Sequence, residues 1–217
     1  ISPDRQDYKL KTMPSEYNDV QVNTFKSATL DANGLIYFAT QMGVMTGRIT
    51  DDQGRPDIEL KQILHYSLSS KGLTNDMVHS ILRIENDTFW IGTEYGLNIY
   101  DRHTGIVQKV YYQDNNIGSL SNNLITCLYK GKDDEIWIGT YQGGVNLFSP
   151  GNVRFNDKLP AINHSIQKGM RYVKSIHQQS DGTLWIGTDY GLLAYSADLT
   201  LQKTFTHSAD ERSLEGG

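Results

Sequence analysis

The sequence is short of several things, and each shortage removes a class of protein. Among 217 residues there is one cysteine, Cys127, so no internal disulfide framework is available and the redox compartment leaves no mark. A lone cysteine of this kind is expected as a small buried strand residue. No apolar run approaches the roughly 18 residues of a membrane helix, and no segment has the layout of a signal peptide. The chain begins at Ile1 and not at Met, as expected of a piece of a longer protein. Basic residues are outnumbered, 20 Lys and Arg against 25 Asp and Glu, for a formal net charge of −5. With no block of like charge, that balance argues against nucleic acid or an anionic membrane as a partner. The common catalytic signatures are missing too: there is no P-loop, G-x-S-x-G elbow, H-E-x-x-H or clustered Cys/His spacing. His65, His79, His103, His164, His177 and His207 are scattered. No catalytic residue, metal site or cofactor is therefore expected.

What the chain has is a repeat. Trp90-Ile91-Gly92-Thr93-Glu94-Tyr95-Gly96, Trp137-Ile138-Gly139-Thr140-Tyr141-Gln142-Gly143 and Trp185-Ile186-Gly187-Thr188-Asp189-Tyr190-Gly191 align without gaps. A fainter copy is Tyr37-Phe38-Ala39-Thr40-Gln41-Met42-Gly43. The flanks repeat as well. Phe25, Val78, Ile125 and Val173 precede the anchors at one fixed spacing, and Ala28, Ile81, Leu128 and Ile176 at another. Leu73-Thr74-Asn75-Asp76 matches Leu120-Ser121-Asn122-Asn123. Each unit reads as four short strands, A to D, with Asn, Asp or Gly in the turns, as hairpins require. Four strands in about 40–50 residues predict an all-β propeller of about four four-stranded blades. Blades are expected at about 20–66, 73–113, 120–158 and 169–207, with 1–15 an outer strand of a preceding or closing blade.

The motif itself predicts packing. Trp90, Trp137 and Trp185 are wedges that fill the space between neighbouring blades. Gly92, Gly139 and Gly187 remove a side chain where sheets approach closely. The threonine adds strand propensity and a hydroxyl for the following bend, and the second glycine supplies a positive φ there. Asp87, Asp134 and Asp181 are expected as turn-formers, not catalysts.

The string Leu-Ser-Asn-Asn-x-Ile before strand A, followed by Asp-Gly-x-Leu-Trp-Ile-Gly-Thr-x-x-Gly-Leu, resembles the two-component-regulator propeller repeat. The likeness runs from about Phe25 to Tyr195. The first copy departs from it with Tyr37 and Ala39, and the third with Gly144 after its second glycine. The resemblance implies a periplasmic sensor region of a bacterial hybrid two-component receptor, an inner-membrane protein that carries a histidine kinase. Such regions usually contain seven-bladed propellers. Asp210-Glu211-Arg212-Ser213-Leu214 resembles Asn116-Ile117-Gly118-Ser119-Leu120, so the four blades are expected to belong to a larger wheel.

A propeller binds on the face made by its B–C and D–A loops, and loops on a rigid frame are where function concentrates. The candidate ligand-binding residues are Glu94, Tyr95, Tyr141, Gln142, Asp189 and Tyr190 of the B–C loops, with Arg171 from a D–A loop. Tyrosine gives a flat apolar face and a hydroxyl; acids and amides can bond sugar hydroxyls. Asn75 and Asn122 are repeated, which favours a turn role. The expected function is non-enzymatic detection of a glycan-derived oligosaccharide, relayed to the kinase by the rest of the receptor chain. Membrane attachment would come only through the parent protein, and a homodimer is left open. Two rivals stand beside it. One is a streptogramin-lyase-like propeller enzyme, to which residues 34–49 are loosely similar; the other is a protein-interaction scaffold.

Overall fold

The computed structural model of the protein describes residues 24–52, 55–116, 118–149 and 172–206, with side chains at 51–57 left out of account. The described part is built from four antiparallel sheets, each a simple up-and-down meander in chain order. The first sheet is β1 (Phe25–Leu30), β2 (Ile36–Thr40), β3 (Gly43–Asp52) and β4 (Arg55–Leu64). The second is β5 (Val78–Arg83), β6 (Thr88–Thr93), β7 (Gly96–Asp101) and β8 (Val107–Val110). The third comprises β9 (Ile125–Lys130), β10 (Ile136–Thr140) and β11 (Val145–Phe148), and the fourth β12 (Val173–Gln178), β13 (Leu184–Thr188), β14 (Gly191–Tyr195) and β15 (Leu201–Thr206). These are propeller blades. The third shows three strands among the described residues; 150–171, where a fourth is expected, lies outside them, as does 1–15. Among the described residues no helix is long and apolar enough to cross a membrane.

Local chemistry sets the hairpins. Asn86 and Asp87 have φ of 56° and 53°, and Asp133 and Asp134 have 54° and 59°. Two successive positive φ values match the strand twist, and Asn and Asp tolerate them better than other non-glycine residues. The acids at these turns are turn-formers. Asp181 plays the same part by accepting the Thr183 amide at 2.8 Å.

The repeat spacing is a register. The first residue of every strand A pairs with the motif threonine: Phe25 with Thr40, Val78 with Thr93, Ile125 with Thr140, Val173 with Thr188. Each blade then has a bulge at the same place, leaving Lys26, His79, Thr126 and Lys174 out of the ladder. Such bulges re-aim a side chain. Neighbouring innermost strands are joined beside them. The Ile81 amide donates to Ser27 Oγ at 3.4 Å, the Leu128 amide to Ser80 Oγ at 3.1 Å, and the Thr126 hydroxyl to the Val173 carbonyl.

The first three anchors are buried largely against the following blade. Tyr37 lies among Val78, Ile81, Phe89 and Ile91 and stacks on Phe89 at 4.3 Å. Trp90 lies among Leu120, Ile125, Ile136 and Ile138, and Trp137 among Val173, Ile176, Leu184 and Ile186. Tyr37 is thus a working substitute for Trp, at 2% exposure. The motif glycines make room for this. A Cβ on Gly92 would stand 2.6 Å from Ile125 Cγ2, and one on Gly139 2.7 Å from Val173 Cγ1.

On the edge carrying the A–B turns, charge ties the first two blades. Arg102 Nη1 lies 2.6 Å from Asp31 Oδ2 and 3.2 Å from Asp87 Oδ2. The Asp31 side chain is fully buried. Burial pushes its carboxyl up, but the amides of Leu35 and Asn33 and the Arg102 guanidinium outweigh that and hold it below the usual value. A depressed folded pKa contributes stability that is present above the unfolded value, about 3.9, and lost as pH falls through the folded value. Acid denaturation should therefore steepen below about pH 4. In Asp31→Asn the denaturation midpoint should be lower at neutral pH and vary less with acid. An unchanged acid slope would show that Asp31 is not a contributor.

Candidate functional site

The B–C loops close in the same way in every blade. The motif threonine hydroxyl donates to the carbonyl of the bend glycine: Thr40 to Gly43, Thr93 to Gly96, Thr140 to Gly144 and Thr188 to Gly191, at 2.8–2.9 Å. It also accepts the amide two residues on in Met42, Tyr95 and Tyr190. Gly43, Gly96 and Gly191 have positive φ, as the sequence predicts. The third blade corrects the pattern. There the positive φ falls on Gly144, at 74°, and on Gln142, at 61°, not on Gly143. Its loop is one residue longer, so Gly144 is an insertion and Asn146, opposite Ile138, takes the place that Asn98 has opposite Ile91.

Behind the loops runs a buried relay that the sequence reading left unassigned. Asn98 Nδ2 donates to Thr74 Oγ1 at 2.8 Å, and Thr74 and Thr93 share a hydroxyl bond of 2.9 Å. Because Thr93 donates onward to Gly96, Thr74 must be the donor to Thr93. Asn98 Oδ1 accepts the Thr74 amide at 2.9 Å. The third blade repeats the arrangement with Asn146, Ser121 and Thr140. In these two blades the relay locks the D–A loop to the B–C loop of the same blade. Asn75 and Asn122 brace the same loops by accepting the amides of Met77 and Leu124, so their role is the turn. Asn98→Leu would strand the buried Thr74 amide, at a cost of about 1–3 kcal/mol. Chemical denaturation reads this directly, and no loss would mean the relay contributes nothing.

Loops of successive blades are joined too. The Gly43 amide donates to Asp76 and the Gly96 amide to Asn123, both at 2.7 Å. The result is a braced rim on which the predicted residues stand in two groups. Glu94, Tyr141 and Asp189 lie inward. Glu94 Oε1 is 3.4 Å from Nε2 of His79, the bulged residue of β5. Burial lowers the His79 pKa, which Glu94 partly offsets. Tyr141 packs edge-on against Tyr172, rings 5.5 Å apart, and their backbones form a bridge. Asp189 accepts the Tyr172 amide at 3.1 Å. Burial raises the Tyr172 hydroxyl pKa, and the negative charge of Glu94, two blades away, adds to it. Tyr172 thus stands against Tyr141 and within reach of the charge of Glu94.

The second group lies along the rim. Tyr95, 57% exposed, packs against Tyr111 at 5.7 Å. Tyr190 is 63% exposed and Gln142 is exposed, each on its own loop. Arg171 lies outside the described residues. Tyr111, Tyr172 and His79 were not singled out from sequence as ligand residues, because a lone aromatic at a strand end carries no repeat signal. Among the described histidines, His79 and His177 are on different blades, His103 is in a turn and His65 follows β4. Among the described residues no three His, Cys, Asp or Glu groups cluster as metal ligands would. This arrangement can bind with rings, hydroxyls and the two carboxylates of Glu94 and Asp189.

The family profile described as "Two component regulator propeller" matches residues 119–142 and 168–190. Two of the repeats of this chain match that profile. Both matched repeats include the Trp-Ile-Gly-Thr strand, with Trp137 and Trp185 as anchors. Among solved structures, the extracellular domain of a hybrid two component system from B. thetaiotaomicron is similar at TM-score 0.56 and 17% identity. The match covers 88% of this chain and 29% of that one. A protein of unknown function from Bacteroides caccae is similar at TM-score 0.54 and 7% identity, over 84% of this chain and 67% of that one. At these identities what is shared is the fold. The chain spans under a third of the first of these structures. No curated protein matches it in sequence.

Proposed function

We propose that this chain is part of the ligand-sensing propeller of a hybrid two-component receptor, periplasmic in location, that detects a glycan-derived oligosaccharide. The observation that carries the reading is the braced rim: regulator-type repeats present Glu94, Tyr95, Tyr141 and Tyr190 on one loop face, beside Tyr172. Aromatic faces with hydroxyls and a carboxylate suit the alternating apolar and polar surface of a sugar. The blades belong to a larger, seven-bladed wheel, and binding biases one arrangement of the receptor over another, which its kinase reads. The partners are the ligand and the rest of the receptor chain, with a second copy in a homodimer open. In this reading the region works by binding and not by turnover, in keeping with the regulator-type repeats matched at residues 119–142 and 168–190.

The test is calorimetric titration of the receptor's extracellular region with linear oligosaccharides. Binding is expected, with Tyr141→Ala weakening it about tenfold or more, the loss of one aromatic contact. Absence of binding across neutral and acidic oligosaccharides would sink the glycan reading.

A further inference from the structure

The 14-residue connection between β8 and β9 leaves a cleft of about 220 Å³ lined by Tyr112, Gln113, Asn115, Asn116 and residues 119–121. It is smaller than the ~300–1,000 Å³ of a drug-sized pocket, so it suits one small ring and not an extended chain. Its frame is rigid for three reasons. Leu120 is 1% exposed and is wedged under Trp90 in the contact between the second and third blades. Ser121 is held by Asn146 through two bonds. Gln113, Asn116 and Ser119 brace one another, with Asn116 Nδ2 donating to Gln113 Oε1 at 2.8 Å and the Gln113 amide to Ser119 Oγ at 3.1 Å.

That bracing leaves Asn115 and the ring of Tyr112 exposed at the cleft. The Asn115 backbone is held at φ 61°. Tyr112 is 44% exposed, and its hydroxyl donates to Asp114 at 2.7 Å. Tyr112 follows Tyr111, which packs on Tyr95, and the Tyr112 amide donates to Asn123 at 2.7 Å. The cleft is thus tied to the rim through Tyr111 and Asn123. No Lys, Arg or His lines it, and Asp114 stands beside it. An anionic sugar would meet a carboxylate and no cation.

We propose that this cleft is a subsite for one neutral sugar ring, stacked on Tyr112 and bonded by the Asn115 amide. This rests on the sensor reading above and adds the place and the charge class of the ligand. A preformed frame lowers the ordering cost of binding, and an aromatic face with an adjacent amide is the chemistry a neutral pyranose needs.

The test titrates the receptor's extracellular region with neutral gluco-, manno-, galacto- and xylo-tetrasaccharides, and with tetragalacturonate as the acidic probe. Two variants are measured with it. Asn115→Gly removes the amide while keeping a backbone that glycine adopts freely, and Tyr112→Ala removes the ring. A neutral probe should bind, and each variant should weaken it about tenfold with an unchanged melting temperature; Tyr112→Phe should restore most of the affinity. If a probe binds and both variants leave its affinity unchanged, the cleft is not the subsite, while the sensor reading stands. If only tetragalacturonate binds, the neutral class is wrong. Binding of no probe overturns both readings.

Discussion

Replacing Trp137 by alanine is expected to lower the stability of the protein by about 3–5 kcal/mol, the usual cost of emptying a large buried aromatic site. Trp137 is 2% exposed and is surrounded by Val173, Ile176, Leu184 and Ile186 of the following blade. The cost should therefore appear as a loosened contact between two sheets as well as a cavity. Its indole Nε1 has no hydrogen-bond partner among the described residues. Trp137→Phe removes no bond and should cost clearly less than the alanine change. Denaturant unfolding of both variants decides the matter. Equal losses would mean that the nitrogen, and not the ring volume, holds the blades.

The same change at Trp185 should depend on context. Trp185 is partly exposed where Trp90 is 5% and Trp137 2% exposed. Its ring stacks on Phe205 of its own blade at 6.0 Å, and no later blade covers it within the described residues. Gly187 shows the same openness. A Cβ there would meet Ser175 of its own sheet, whereas Gly92 and Gly139 face Ile125 and Val173 of the next. At the other flank Phe25 is 42% exposed, although Val78, Ile125 and Val173, at the same register, are fully buried. Trp185→Ala in the 217-residue chain should cost about 1–2 kcal/mol, since the ring is only partly covered. In the parent protein, where a further blade is proposed to cover Trp185, the loss should approach that of Trp137→Ala. A small loss in both settings would argue that the four blades stand without a neighbour.

Much of the fold was legible because a propeller is a one-dimensional repeat. A residue at fixed distance before Trp90, Trp137 or Trp185 occupies the same rung in every blade, so spacing alone gave register. The substitution of Tyr37 for Trp was harder to judge. Sequence flags it as a departure, but whether a ring fills a gap depends on the blade opposite, here Phe89 and Ile91. The inserted Gly144 was misread as a replacement, because only the pairing of Gly139 with Val145 reveals the extra residue. The site was less legible for a related reason. Glu94, Tyr141 and Asp189 were visible as variable positions after a constant motif. Their inward company, His79 and Tyr172, comes from other strands, and no local pattern joins them. His79 reaches Glu94 because a bulge frees it from the ladder, and bulges leave little trace in composition. The Asn98 relay was hidden because its partners, Thr74 and Ser121, come from the D–A loops more than twenty residues away.

The central claim is that the anchors hold the blades while the B–C and D–A loops do the binding. A crystal structure of the receptor's extracellular region with a bound oligosaccharide tests it most directly. The sugar is expected on the loop face, in contact with Tyr141, Tyr172 or the stretch formed by Tyr95, Tyr111 and Tyr112. A sugar bound at the A–B turns beside Arg102 and Asp31, with the loop face empty, would contradict it.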